Sequence, residues 1–237
     1  MMKLTARLFK GCTLWVAAVA LTTTLQAQTQ DLQALVRSMT GSATYSVEGR
    51  SGIPIKPGSR LPVGSVIQTG SGSSVELFLG RGTGIVKLKE NTTLGIIKLS
   101  TTDTGAEVLT DTQLSLPSGD LLGSVNKLPA GSHYEIKTPD GLAGVRGTRY
   151  RIQVPGGISV LDGTLVFVNK EGKPTIVKGP GFFDPRGTEP TSRPLTPDEL
   201  PPLQREFNFG TPGDLALRPT PTPPPQEQFL SPVSARR

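Results

Sequence analysis

The sequence predicts an all-β domain, and three observations predict it. Short runs rich in β-branched and aromatic residues recur from about residue 34 to residue 183, and glycine, proline and serine clusters separate them. Several of these runs alternate apolar with polar residues at a period of two, which places the two sets on opposite faces of a pleated strand. Glycine (28) and proline (22) exceed ordinary usage, while aromatics make up only 5% of the 237 residues, a balance that favours many turns over long helices.

Along the chain the first ambiguous stretch is "DLQALVRSM". Leu32, Leu35, Val36 and Met39 fit a helical spacing, but the β-rich surroundings favour strand from about Ala34. "SSVELFLG" sets Val75, Leu77 and Leu79 against Ser74, Glu76 and Phe78. "HYEIKT" sets Tyr134, Ile136 and Thr138 against His133, Glu135 and Lys137, and "RYRIQV" sets Tyr150, Ile152 and Val154 against Arg149, Arg151 and Gln153. Further strands are read in "SATYSV", "GSVIQT", "TGIVKLK", "LGIIKL", "TQLSL", "GISVLDGTLVFV" and "PTIVKGPG". The total is roughly ten short strands, which calls for a sandwich, roll or solenoid-like stack rather than one flat sheet.

Both ends differ from this middle. Lys3, Arg7 and Lys10 followed by "GCTLWVAAVALTTTLQAQ" read as an export signal with cleavage expected after Ala27. The apolar run falls short of the ~20 residues a membrane span needs, although a retained anchor is the alternative. No later segment is a span candidate. Three domains are therefore expected: a signal peptide over 1–27, a β domain over 28–184, and a flexible proline-rich tail over 185–237 that holds thirteen of the 22 prolines. Within the tail, Thr196, Pro197 and Glu199 resemble a capping box with proline at the first helical position. Pro201 and Pro202 are expected to stop that helix after one turn, packed on the domain.

Cleavage changes two readings of the whole chain. Residues 1–27 carry three basic and no acidic residues, so the formal charge falls from +6 to +3. What remains has no basic run with interleaved aromatics, and nucleic-acid binding loses its support. The only cysteine, Cys12, and the only tryptophan, Trp15, leave with the signal. The mature chain is then expected to have no disulfide, no thiol nucleophile and no cysteine metal ligand.

"TPDGLAGVRGTRYRI", residues 138–152, looks at first like a phosphate loop. Its glycines at 141, 144 and 147 form G-x-x-G-x-x-G, not the dinucleotide fingerprint, and a strand pattern follows where a helix N-terminus would have to stand. "GRGTG" at 80–84 fails for the same reason. As β architecture the segment makes better sense. Pro139, Asp140 and Gly141 are turn residues. Counting back in twos from Tyr150 would put Arg146 on the core face, so either a bulge at Gly147 turns it outward or a carboxylate partners it, with Asp140 nearest in sequence.

Catalytic material is thin. His133 is the only histidine, and its strand pattern turns it to solvent, away from the sheltered position a triad base requires. Any two of Glu76, Glu90, Asp103, Glu107, Asp111, Asp120 and Glu135 that meet in space would give the paired carboxylates of glycoside chemistry, but most acidic residues on a β domain are solvated surface. No calcium-type aspartate repeat or histidine pair marks a metal site. No catalytic residue, cofactor or metal is expected. The sequon at Asn91 depends on a glycosylating compartment.

Several ordered blocks carry a family resemblance. "GSRLPVGSVIQTGSGSSVELFL" (58–79), "LSLPSGDLLGSV" (114–125), "YEIKTPDGLAGVRGTRYRIQV" (134–154) and "VLDGTLVFVNKEGKPTIVKGPG" (160–181) resemble the FecR-type periplasmic domain. Gly64, Ile67, Thr69 and Gly70 match its strand entry; Thr138, Pro139, Gly141, Gly144, Val145, Arg146, Gly147 and Thr148 match its Thr-Pro-x-Gly…Gly-Val-Arg-Gly-Thr segment. The resemblance implies an all-β domain of the bacterial envelope. In the best-known members a single-pass regulator links an outer-membrane transducer to a cytoplasmic sigma factor. This chain departs from that plan by its cleavable-looking signal and by having no cytoplasmic helical domain. The family implies no catalytic residues.

The expectation is thus a periplasmic or secreted, non-enzymatic adaptor or signalling module with an envelope protein as partner, engaged through sheet edges and loops. A polysaccharide- or peptidoglycan-binding module is the first alternative, although only Tyr45, Tyr134, Tyr150 and the phenylalanines could form the aromatic platforms it needs. A β-solenoid polysaccharide-active enzyme is the second.

Overall fold

The computed structural model describes residues 28–187 and 191–209. The expected signal peptide and residues 210–237 of the expected tail lie outside the described residues. Within them the chain forms sixteen strands and one helix: β1 (Gln28–Asp31), β2 (Ala34–Thr40), β3 (Ala43–Val47), β4 (Arg50–Pro54), β5 (Arg60–Leu61), β6 (Val66–Thr69), β7 (Ser74–Phe78), β8 (Gly84–Leu88), β9 (Thr93–Asp103), β10 (Val108–Val125), β11 (His133–Thr138), β12 (Gly141–Val154), β13 (Ile158–Asn169), β14 (Pro174–Lys178), β15 (Gly181–Phe183), β16 (Arg193–Pro194) and α1 (Leu200–Glu206). The fold is all-β, as its alternating runs predict, with a mixed sheet that does not close into a barrel.

The strands are more numerous than roughly ten, and several are long: β10 has 18 residues, β12 has 14 and β13 has 12. Glycines and prolines that look like separators in sequence lie inside these strands. "TQLSL" and "SGDLLGSV" merge into β10 across a register shift between Ser115 and Ser118, because a bulge absorbs the residues that break the ladder.

The long strands serve two layers. Residues 111–115 of β10 run between β9 and the parallel β11, while residues 119–124 run between β8 and β12. β12 likewise pairs with β11 and β13 in its first half and with β10 and β13 in its second. One layer thus contains β9, the start of β10, β11, the start of β12, the end of β13 and β14; the other contains β16, β15, the start of β13, the end of β12, the end of β10, β8, β7, β2 and β5. Residues from both layers meet in one core that includes Leu77, Leu114, Leu121, Ile136, Tyr150, Ile152 and Leu165. The period-two readings hold here: Val75, Leu77, Leu79, Tyr134, Ile136, Thr138, Tyr150, Ile152 and Val154 are all buried, and their alternates face outward or stay half-covered.

The packed chain extends past residue 184. β16 pairs with β15, and α1 follows it on the outer face of the second layer, where Leu203, Phe207 and Phe209 form a second apolar cluster with Ile85, Leu122 and Leu161. The flexible tail expected from residue 185 is therefore docked over 191–209.

Candidate functional site

The glycine-arginine corner is built by a turn, a bulge and one hydroxyl. At the turn, the Thr138 hydroxyl accepts from the Gly141 N–H at 3.2 Å and donates to the Gly141 carbonyl at 3.0 Å, closing the loop around Pro139 and Asp140. β12 then runs beside β13 so closely that a Cβ at Gly141 would lie 2.2 Å from the Val168 carbonyl oxygen. Val145 enters the core, and the register slips between Arg146 and Arg149. Gly147 occupies that bulge with φ of 66°, a left-handed conformation that glycine adopts without steric cost. The slip turns Arg146 outward, where its Nε–H donates to the Leu128 carbonyl at 3.2 Å. Of the two arrangements open to Arg146, the bulge is the one present: Asp140 pairs with Arg186 instead.

A bulge leaves ladder groups of the partner strand without backbone mates. Thr148 supplies them. Its buried hydroxyl donates to the Thr164 carbonyl at 2.8 Å and accepts from the Thr164 N–H at 3.2 Å. Gly163, with φ of 86°, faces the bulge so closely that a Cβ on it would come within 2.3 Å of the Gly147 carbonyl oxygen. No helix follows Gly147, and the strand continues to Val154. The motif residues Thr138, Gly141, Gly147 and Thr148 thus shape the backbone, while Gly144 and Arg146 reach the outer surface.

On that surface, Gly144 leaves room. A Cβ there would meet nothing nearer than the Val166 carbonyl oxygen at 3.7 Å, and a groove of about 410 Å³ opens between His133, Glu135, Arg146, Thr164 and Val166. The register carries one outward row across the layer from Glu135 through Gly144 and Val166 to Ile176. Val166 is 38% and Ile176 54% exposed. A second groove, of about 440 Å³, separates Ile176, Lys178 and Pro180 from Ser192, Arg193 and Pro194. His133 is exposed, as its alternation predicts.

The clasp formed by residues 191–209 is held by ions at both ends. Arg193 pairs with Glu199 and lies over the Phe182 ring, 4.6 Å from its centroid. The Glu199 carboxylate also accepts from the Thr196 N–H at 2.8 Å. Hydrogen bonding first to Arg193 and then to the Thr196 backbone pulls the Glu199 pKa down to about 2. At the other end Glu206 meets Lys89 at 2.8 Å and Arg151 at 3.0 Å, and Arg151 grips Asp120 in bidentate fashion at 2.9 and 2.5 Å. Asp120 is the only one of the seven surveyed carboxylates drawn into this network, and its acidic neighbour Glu206 comes from the tail, beyond the reach of strand patterning. Both carboxylates are spanned by cations, Asp120 by Arg151 and Lys89 and Glu206 by Lys89 and Arg151. Among the described residues, no cluster of three His, Cys, Asp or Glu could hold a metal ion, and no helix is long and apolar enough to cross a membrane.

Comparison with known families matches residues 65–170 to the family described as FecR protein. That span is a FecR-type domain. Neither the curated proteins nor the solved structures contain a match to the chain. The FecR-type domain begins at the entry to β6 and ends just past β13, so it includes the whole glycine-arginine corner. β14, β15, β16 and α1 lie beyond it, and β1 to β5 precede it. FecR-type domains are in general regulatory rather than enzymatic.

Proposed function

We propose that this chain is an exported, non-enzymatic adaptor of the bacterial envelope that works by binding another envelope protein through its sheet edges and loops. The observation that carries this reading is a FecR-type domain whose sheet stays open, because an open sheet offers unpaired main-chain groups to a partner strand. The regulatory character of such domains supports a signalling role, and the thiol-free mature sequence suits an exported chain that draws its stability from pairing and burial. A glycan platform would have to be built from few aromatic side chains, since Tyr134, Tyr150, Phe167, Phe183, Phe207 and Phe209 are buried and Tyr45, Phe78 and Phe182 are half-buried.

The test is photo-crosslinking of the full-length protein in its native envelope, with crosslinking residues placed on the outer row and on the clasp. A saturable protein adduct at defined positions is expected. Adducts only to glycan, or none above the level of a scrambled-position control, would overturn the reading.

A further inference from the structure

One layer of the fold ends in a strand with an open side. β14 pairs with β13 and with no other strand among the described residues. Which of its main-chain groups are open follows from ladder alternation, since hydrogen-bonded and non-hydrogen-bonded residue pairs take turns along an antiparallel ribbon. The Asn169 N–H donates to the Lys173 carbonyl at 3.1 Å, and the Gly179 N–H to the Gly163 carbonyl at 3.0 Å. Between these two bonds the register pairs Thr175 with Phe167 and Val177 with Leu165, so Thr175 and Val177 take up the bonds to β13. Ile176 and Lys178 therefore turn both N–H and C=O away from β13. Pro174 falls in the same outward phase, where a missing N–H costs no ladder bond.

The side chains beside that edge suit an extended ligand. Ile176 and Val166 stand next to each other and are the exposed apolar residues of the outward row. The groove of about 440 Å³ between Ile176 and Ser192–Pro194 gives an added chain somewhere to lie. Charge then decides what lies there. Lys170, Lys173 and Lys178 are exposed and have no carboxylate partner among the described residues, against two acidic residues in the same hairpin, Glu171 and the Asp162 that Arg149 already pairs. A second copy of this chain would bring that lysine set against itself, which like charges on facing strands disfavour.

The geometry points to β14 as a strand-addition site for an extended, β-branched segment of a partner protein flanked by acidic residues. This deepens the protein-binding reading above and rests on it. Main-chain bonds to Ile176 and Lys178 give affinity, Ile176, backed by Val166 across the ladder, takes an apolar side chain of the added strand, and the lysines select acidic flanks.

Amide hydrogen exchange of the full-length protein tests it, with the synthetic peptide Asp-Glu-Val-Thr-Val-Thr-Val-Asp-Glu as probe. Without peptide, Thr175 and Val177 amides are expected to exchange slowly and Ile176 and Lys178 rapidly. Saturating peptide slows Ile176 at least tenfold; the same peptide with lysine flanks does not. Ile176→Pro removes the outward donor and abolishes the effect, and Lys178→Glu, which leaves the backbone intact should the proline variant misfold, reverses the preference between the two peptides. Unchanged exchange at Ile176 with the acidic peptide, equal response to both peptides, or protection caused by self-association at rising protein concentration would each overturn the proposal. In native-envelope crosslinking, a partner captured equally by wild type and Lys178→Glu defeats the edge assignment and leaves the adaptor reading standing, whereas capture by neither defeats the adaptor reading itself.

Discussion

Tyr134 and Tyr150 show how a single pair of hydroxyls can be made safe in a core. Both rings are buried, at 2% and 0% exposure, and their hydroxyl oxygens lie 3.0 Å apart with the rings edge to face. Burial pushes both phenols above their ordinary pKa, so each stays neutral and they share one hydrogen bond. Tyr134→Phe is expected to cost about 1–3 kcal/mol by leaving the other hydroxyl unpaired, and the double phenylalanine variant less than the sum of the singles; urea denaturation of the four proteins measures both. A parallel case is Thr148→Val, which strips Thr164 of the hydroxyl that satisfies its main-chain groups at the bulge and is expected to cost about 1–3 kcal/mol in the same assay. The alternation of "HYEIKT" and "RYRIQV" places both tyrosines inward from sequence alone. Their meeting is not legible there, because it depends on Gly123, where a Cβ would fall 2.2 Å from Tyr150 Cζ, and a glycine inside a strand does not say which side chain it makes room for.

At the scale of elements, the clasp is where sequence reading and structure part most clearly. Pro201 and Pro202 do not end the helix; they sit in its first turn, where their missing N–H groups have no intrahelical acceptor to lose. Thr196 and Glu199 are bonded to each other as half of a capping box, but the helix begins at Leu200, four residues after Thr196. Phe207→Ala is expected to release α1 without unfolding the sheet: amides of 200–207 become fast-exchanging while those of β10 and β12 keep their protection. Acid acts on the other end. Because the Glu199 pKa in the folded protein lies near 2, below its ordinary 4.5, the clasp draws stability from its charge that is fully present above 4.5 and is lost as pH falls towards 2. The expected readout is faster exchange in 193–206 over that window, a response that Glu199→Gln removes and that salt weakens, since the pair is exposed.

For the whole molecule, sharing β10, β12 and β13 between two layers ties the unfolding of either layer to that of the other. Thermal unfolding followed by far-ultraviolet circular dichroism and by tyrosine absorbance is therefore expected to give coincident single transitions, and two separated transitions would contradict a shared core. Refolding is expected to be slow, in milliseconds to seconds or longer, because most strand pairs are distant in sequence.

Sequence alone determined the fold class, the inward and outward faces of the main strands and the resemblance to the FecR-type domain, because each is written in local periodicity or in residues whose backbone demands are local, and it narrowed Arg146 to a bulge at Gly147 or a carboxylate partner, between which the structure chose. Tertiary structure decided the rest: how glycine-containing runs join into strands that serve two layers, which side of β14 stays open, and where the clasp docks with Glu206 between Lys89 and Arg151. These depend on which distant segments become neighbours, and a pattern with a period of two says which face is buried without saying against what.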